Sequence, residues 1–165
     1  MSSPTDTRII AILNDLEATA GSGYALALHI RFTSPAILMQ TYSKAWTDYY
    51  SQNGLVMSDP TVAWGFDNLG TRRWSDLAEL DTAGVMAMAA DHGLVFGATS
   101  AVERDGSRSI GSLARADREF TEAEITGFHA ALRDLHDLTT DPDALSDAAV
   151  KKIRSMAVRL TRTEA

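Results

Sequence analysis

Gly93–Asp117 reads GLVFGATSAVERDGSRSIGSLARAD, two runs of small and apolar residues around Asp105-Gly106. Such a pattern predicts a β-hairpin, and hence an antiparallel sheet to build on. Outward on the N-terminal side, Asp81–Asp91 is rich in alanine and methionine and stops at His92-Gly93, which predicts a helix. Before it, RRWSDL (Arg72–Leu77) reads as an extended or turn segment. On the C-terminal side, Thr121 and Glu124 form a T-x-x-E capping box for a helix through about Leu138. Asp141-Pro142 opens a last helix, with Leu145, Ala149, Ile153, Met156 and Leu160 along one side.

The first half supplies more of the same parts. Ile9, Ile10, Leu13 and Leu16 recur at helical spacing after Pro4, and Gly21 follows, so the chain opens with an amphipathic helix. YALALHIRF then sets large Tyr24, Leu26, Leu28, Ile30 and Phe32 against Ala25, Ala27, His29 and Arg31, the period-two pattern of a strand. Ser34-Pro35 breaks it, and AILMQ (Ala36–Gln40) forms a short second strand. Tyr42–Gln52 reads as a helix stopped by Asn53-Gly54. Asp59-Pro60 starts another, with Asp59 as cap and Pro60 at the first helical position, running to about Phe66 and dissolving at Asn68-Leu69-Gly70. The expected fold is α/β in the α+β sense: a three-layer α-β-α sandwich with a mostly antiparallel central sheet of about five strands.

Composition narrows the function classes. At 165 residues, 45% of them apolar, the chain suits one core. A net charge of -7 argues against a body that grips nucleic acid, although Lys151, Lys152, Arg154, Arg159 and Arg162 make the C-terminal end locally basic. There are no cysteines, so disulfides and thiolate chemistry are excluded. No long apolar run or signal-peptide layout is present, and the default expectation is a cytoplasmic protein without membrane contact. Of the four histidines, His129 and His136 are seven apart, but no further ligand completes a metal site with them or with His29 and His92. No nucleophile elbow, zinc-protease helix or phosphate-cradling loop occurs, so neither a catalytic residue nor a cofactor is expected. A lactone-cleaving enzyme would need a metal set or an activated nucleophile, and the sequence offers neither.

One constellation stands out against this background. Tyr42, Trp46 and Tyr50 are four apart, each rotated about 40° from the last on a helix, so they are expected on one face. A packed core stripe accounts for such spacing, yet each buried O–H or N–H also wants a partner. Asp59 is explained by capping alone, and equally by accepting an amide N–H from a bound molecule.

The set Tyr-x3-Trp-x3-Tyr, then Asp59-Pro60 nine residues later, then Trp74 fifteen after the aspartate, resembles the autoinducer-binding domain of LuxR-type quorum-sensing regulators. GLVFGATSAV followed by IGSL is similar to that family's paired strands. The resemblance implies a transcription-regulating sensor that encloses an N-acyl homoserine lactone. On it, Trp46 would donate to the lactone carbonyl, Tyr42 to the amide carbonyl, and Asp59 would accept the amide N–H. Tyr50 would pack along the acyl chain, Trp74 would close the lactone end, and Val62 and Thr99 would border the ligand. Where the family often has a hydrogen-bonding serine or threonine this chain has Ala114, so either that bond is absent or a neighbour, Ser112 or Thr99, substitutes for it.

The resemblance further implies a homodimer, with DNA contacted only through a C-terminal helix-turn-helix. Residues 161–165 are similar to the first residues of that second domain, so the sensor domain is expected over 1–160 as part of a longer regulator. The alternatives are a naturally short relative that blocks a full-length regulator by heterodimerisation, and a GAF- or PAS-like sensor of another small molecule.

Overall fold

The computed structural model describes residues 3–141 and 143–163. In chain order the elements are α1 (Pro4–Thr19), β1 (Gly23–Arg31), β2 (Ser34–Gln40), α2 (Lys44–Gln52), α3 (Pro60–Asp67) and β3 (Gly70–Arg73). They continue with α4 (Val85–Ala90), β4 (Phe96–Arg104), β5 (Ser107–Arg115), α5 (Glu122–Leu138), α6 (Asp147–Ser155) and β6 (Arg159–Arg162). Short 3-10 segments occupy Leu55–Met57 and Trp74–Leu80. The six strands form one sheet in the order β3-β4-β5-β1-β2-β6, every neighbouring pair antiparallel. Helices cover both faces, giving the expected three layers with one strand more than expected.

The two faces of the sheet are built from residues of different size. Tyr24, Leu26, Leu28, Ile37, Met39 and Leu113 point into the main core, where α1, α5 and α6 contribute Ile9, Leu13, Phe128, Leu132 and Ile153. Burying a side chain of this size contributes about 1.5–3 kcal/mol each. The opposite face carries Ala25, Ala27, Ser112 and Ala114 from the same strands. Small residues there cannot fill the gap to α2, α3 and α4, so this side packs as a separate, smaller cluster of Tyr42, Trp46, Leu55, Trp74, Val85, Ala89, Leu94 and Ala114.

The local signals mostly act as their chemistry dictates. Ser3 caps α1 in a reciprocal box with Asp6, and Thr121 caps α5 in a second box with Glu124. Asp59 caps α3 ahead of Pro60. Asp105 and Gly106 both take positive φ, 53° and 78°, as a two-residue hairpin turn requires.

Tertiary packing shifts several expected boundaries. Tyr42 precedes α2, which Ser43 caps, so only Trp46 and Tyr50 of the aromatic set lie on that helix. The expected helix over Asp81–Asp91 begins at Val85, because the Asp81 carboxylate takes the Val85 and Met86 N–H groups and holds the intervening residues as a turn. Phe32 leaves the strand alternation and stands 98% exposed in the β1–β2 turn. The last helix is α6, capped by Ser146, and its expected opening at Pro142 lies outside the described residues. Leu160 belongs to β6, where it pairs with Met39. An amphipathic period over Leu145–Ile153 runs on by coincidence into a strand whose backbone partner, the edge of β2, is distant in sequence.

Candidate functional site

Between the small-residue face of the sheet and α2–α4 lies a cavity of about 440 Å³. Of the expected site residues, Tyr42, Trp46, Tyr50, Asp59, Val62 and Trp74 all line it. Thr99 and Ala114 sit behind the wall, each fully buried. Of the two candidate substitutes for a hydroxyl at position 114, Ser112 lines the cavity and Thr99 does not.

The polar groups gather at one end. Tyr50 O–H donates to Asp59 Oδ2 at 2.9 Å, and Asp59 Oδ1 accepts the Thr61 N–H at 2.9 Å and the Thr61 hydroxyl at 2.7 Å. Asp59 is therefore a helix cap and a cavity carboxylate at once, one oxygen for each task. A carboxylate has about four acceptor positions, so three bonds leave room for another donor. Trp46 packs edge-on against Tyr50, ring centroids 5.5 Å apart, and lies 5.2 Å from the His92 ring. Its indole N–H makes no hydrogen bond among the described residues. Tyr42 O–H donates to the Ser112 carbonyl at a long 3.3 Å. Burial first, then the Asp59 charge, pushes both the Tyr42 and Tyr50 phenols well above their usual range, so both remain donors.

Trp74 is held from beneath. Its indole N–H donates to Thr99 Oγ1 at 3.2 Å, and Thr99 Oγ1 pairs with Ser112 Oγ at 2.6 Å. Gly97 is required under it, because a Cβ there would fall within the indole ring. Thr99 and Gly97 thus set the position of Trp74, while Ala114 packs with Tyr42, Trp46 and Trp74. Most of the remaining wall is apolar, Ala27, Ile30, Leu38, Val85 and Ile110 joining Val62, with Thr33, Gln40, Thr47 and Ser51 as its other polar residues. The arrangement offers one ionisable acceptor, an uncommitted N–H donor and two phenols at one end, and mostly hydrocarbon surface elsewhere. It suits an amphiphile with a compact polar head and an apolar tail.

Sequence reasoning passed over Gln40, Ala25, Ala27, Ile30 and Ile110 as wall residues. The signal for the alanines lay in the period-two pattern of β1, where every small residue faces away from the main core. Ile30 follows a bulge on β1 against β5, marked by His29 at φ 54°, which no periodicity announces.

The family model described as the autoinducer binding domain matches residues 7–139. Among solved structures, SdiA in complex with octanoyl-rac-glycerol superposes with a TM-score of 0.60 at 18% identity, over 93% of this chain and 62% of that one. A crystal structure of Escherichia coli SdiA in space group P6522 gives 0.59 at 19% identity, over 95% of this chain and 64% of that one. CepR2 from Burkholderia cenocepacia, an N-acylhomoserine lactone dependent LuxR family transcription factor, gives 0.53 at 16% identity, over 88% and 98%. At these identities the likeness is one of fold, and this chain spans less than two thirds of the length of the SdiA chains. Comparison with curated protein sequences finds no match. No helix among the described residues is long and apolar enough to cross a membrane. The family match covers most of the sequence and falls on the elements that enclose the cavity; the chain belongs to the autoinducer binding domain family.

Proposed function

We propose that the cavity binds an N-acyl homoserine lactone, and that its occupancy governs dimerisation and DNA binding by the regulator to which this domain belongs. The observation that carries the reading is the meeting of Asp59, Trp46 and Tyr42 at one end of a largely apolar cavity of about 440 Å³. An acylated amino-lactone has two carbonyls and one N–H in its head. Trp46 N–H serves the lactone carbonyl, and Tyr42 O–H exchanges its long bond to the Ser112 carbonyl for the amide carbonyl. Asp59 accepts the amide N–H, and Trp74 bounds the lactone ring. Tyr50 orients Asp59 through its hydroxyl while its ring lies toward the acyl chain. Each neutral bond contributes about 0.5–1.5 kcal/mol, and the one to ionised Asp59 about 1.5–3. The tail adds about 0.8 kcal/mol for each methylene buried.

The SdiA complex with octanoyl-rac-glycerol favours a second reading, an acyl glycerol in the same cavity. An ester has no N–H for Asp59, and this separates the two. Thermal unfolding with a panel of acyl homoserine lactones and acyl glycerols tests both. A ligand at a hundredfold excess over its Kd stabilises the fold by about 2.7 kcal/mol, and a clear rise in Tm is expected with a lactone of the right length. A panel without any shift sinks the proposal. Shifts with glycerol esters alone transfer it to the second reading.

A further inference from the structure

Of the polar side chains in the cavity wall that take no part in the head-group reading, Thr33, Thr47, Ser51 and Gln40, only Gln40 is carried by a strand of the sheet. Gln40 ends β2, where Ile37 and Met39 enter the main core while Leu38 and Gln40 line the cavity. It is partly buried, and its carboxamide makes no hydrogen bond among the described residues. Strand register fixes what lies beside it: Thr99 pairs with Ser112, Ser112 with Ala25, and Ala25 with Gln40. These form a single row across the cavity face of the sheet, since opposed residues share a face. At about 4.8 Å between strands, Gln40 stands roughly 10 Å from Ser112 with only the Ala25 methyl between them.

The next row toward the β1–β2 turn is Ala101, Ile110, Ala27 and Leu38, all hydrocarbon. On the other side Gly97, Ala114 and Gly23 are too small to reach upward. The polar row is therefore a narrow band, and Tyr42, whose ring lies over the neighbouring Gly23, reaches it with its hydroxyl at the Ser112 carbonyl. Ser112 Oγ within that band is already engaged with Thr99 at 2.6 Å. Gln40 alone presents both a donor and an acceptor to whatever passes over Ala25. A plain methylene there desolvates the carboxamide without a partner, whereas a carbonyl or hydroxyl oxygen satisfies it.

We infer that Gln40 is a specificity-determining residue of the cavity, selecting acyl ligands that carry a hydrogen-bonding oxygen on the chain close to the amide over their unsubstituted counterparts. The inference rests on the acyl-lactone reading above and names which lactones the site prefers. An amide held by Tyr42 and Asp59 sends its first chain carbons across Ala25, directly beside the Gln40 carboxamide.

The test is isothermal titration of β-oxo, β-hydroxy and unsubstituted N-acyl homoserine lactones of one chain length. The proteins are the wild type, Gln40→Met, which keeps length and loses the amide, and Gln40→Asn, which keeps the amide and shortens its reach. The wild type is expected to bind the oxygenated lactones about tenfold more tightly than the unsubstituted one. In Gln40→Met the preference should shrink to within about twofold, with the unsubstituted lactone bound at least as well as by wild type, an internal check that the variant folds. Gln40→Asn should lose most of the preference as well. A wild type that does not discriminate, or a preference that survives in both variants, overturns the inference and leaves the lactone reading intact. If no lactone in the panel binds the wild type, the lactone reading itself has failed and the inference falls with it.

Discussion

Asp59 caps a helix and lines the cavity at the same time. Its Oδ1 caps α3 through Thr61, and its Oδ2 takes the Tyr50 hydroxyl at 2.9 Å. Asparagine caps a helix about as well as aspartate, and alanine forfeits about 1 kcal/mol at such a position. Asp59→Asn is therefore expected to unfold in urea within a few tenths of a kcal/mol of wild type while losing lactone affinity about tenfold or more, because the charge that strengthens the amide bond is gone. Asp59→Ala should lose both. Calorimetric titration beside urea denaturation separates the two roles; lactone affinity untouched in Asp59→Asn would mean that the carboxylate is only a cap.

At the scale of elements, the join between β1, β5 and α5 is polar and buried on the side away from the cavity. The bulge on β1 directs His29 at α5, where its ring nitrogens meet Ser107 Oγ at 2.7 Å and the His136 carbonyl at 2.9 Å. His136 is 3% exposed, contacts Ser109 Oγ at 2.6 Å, and its ring lies 4.2 Å from that of His29. Burial first, then the neighbouring His29, holds its pKa below the ordinary 6.5, with the Asp137 charge and the Arg104 backbone opposing and the Arg104 charge adding to the effect. The unfolded chain therefore takes up a proton at higher pH than the folded one does. Stability falls as pH drops through 6.5 toward the folded pKa, and levels off below it. His129, held down by burial and Arg133, acts in the same direction. Urea midpoints measured at about pH 7.5 and about pH 5.5 should differ, and His136→Gln should narrow that difference. An unchanged difference would place the acid sensitivity elsewhere.

Over the whole molecule, the last strand is tied to the cavity wall through Arg159. This residue pairs with Gln40 across β2–β6, and its guanidinium donates to Thr47 Oγ1 at 2.7 Å and to the Tyr42 carbonyl. Both acceptors belong to cavity-lining residues, Tyr42 just ahead of α2 and Thr47 in its first turn. Arg159→Ala leaves the cavity residues in place and frees the N-terminal end of α2, so lactone affinity is expected to fall about three- to tenfold, with a smaller loss of stability on the scale of one charged hydrogen bond, about 1.5–3 kcal/mol at most. Titration of the variant with a lactone that binds wild type checks this. Equal affinities would show that β6 and the cavity are not coupled.

The sequence by itself determined the elements whose signals are local. The two capping boxes, the Asp59-Pro60 helix start and the Asp105-Gly106 turn each satisfy or remove backbone donors within a few residues, so their outcome needs no distant partner. It also determined the alternation of large and small residues along β1, and with it which face of the sheet would be full and which would be left open. The aromatic and acidic set was legible as a constellation because its spacing is specific, though Tyr42 reaches the cavity from ahead of α2 and not from its face. Only the tertiary structure decided the rest. β6 exists because the edge of β2 offers unpaired backbone groups, α4 is short because Asp81 folds back on its own amides, and Ile30 reaches the cavity because of a bulge. Strand register puts Thr99 and Gln40 in one row on the cavity face, and Trp74, packed over Thr99 and bonded to its hydroxyl, leaves Thr99 behind the wall while Gln40 meets the open space.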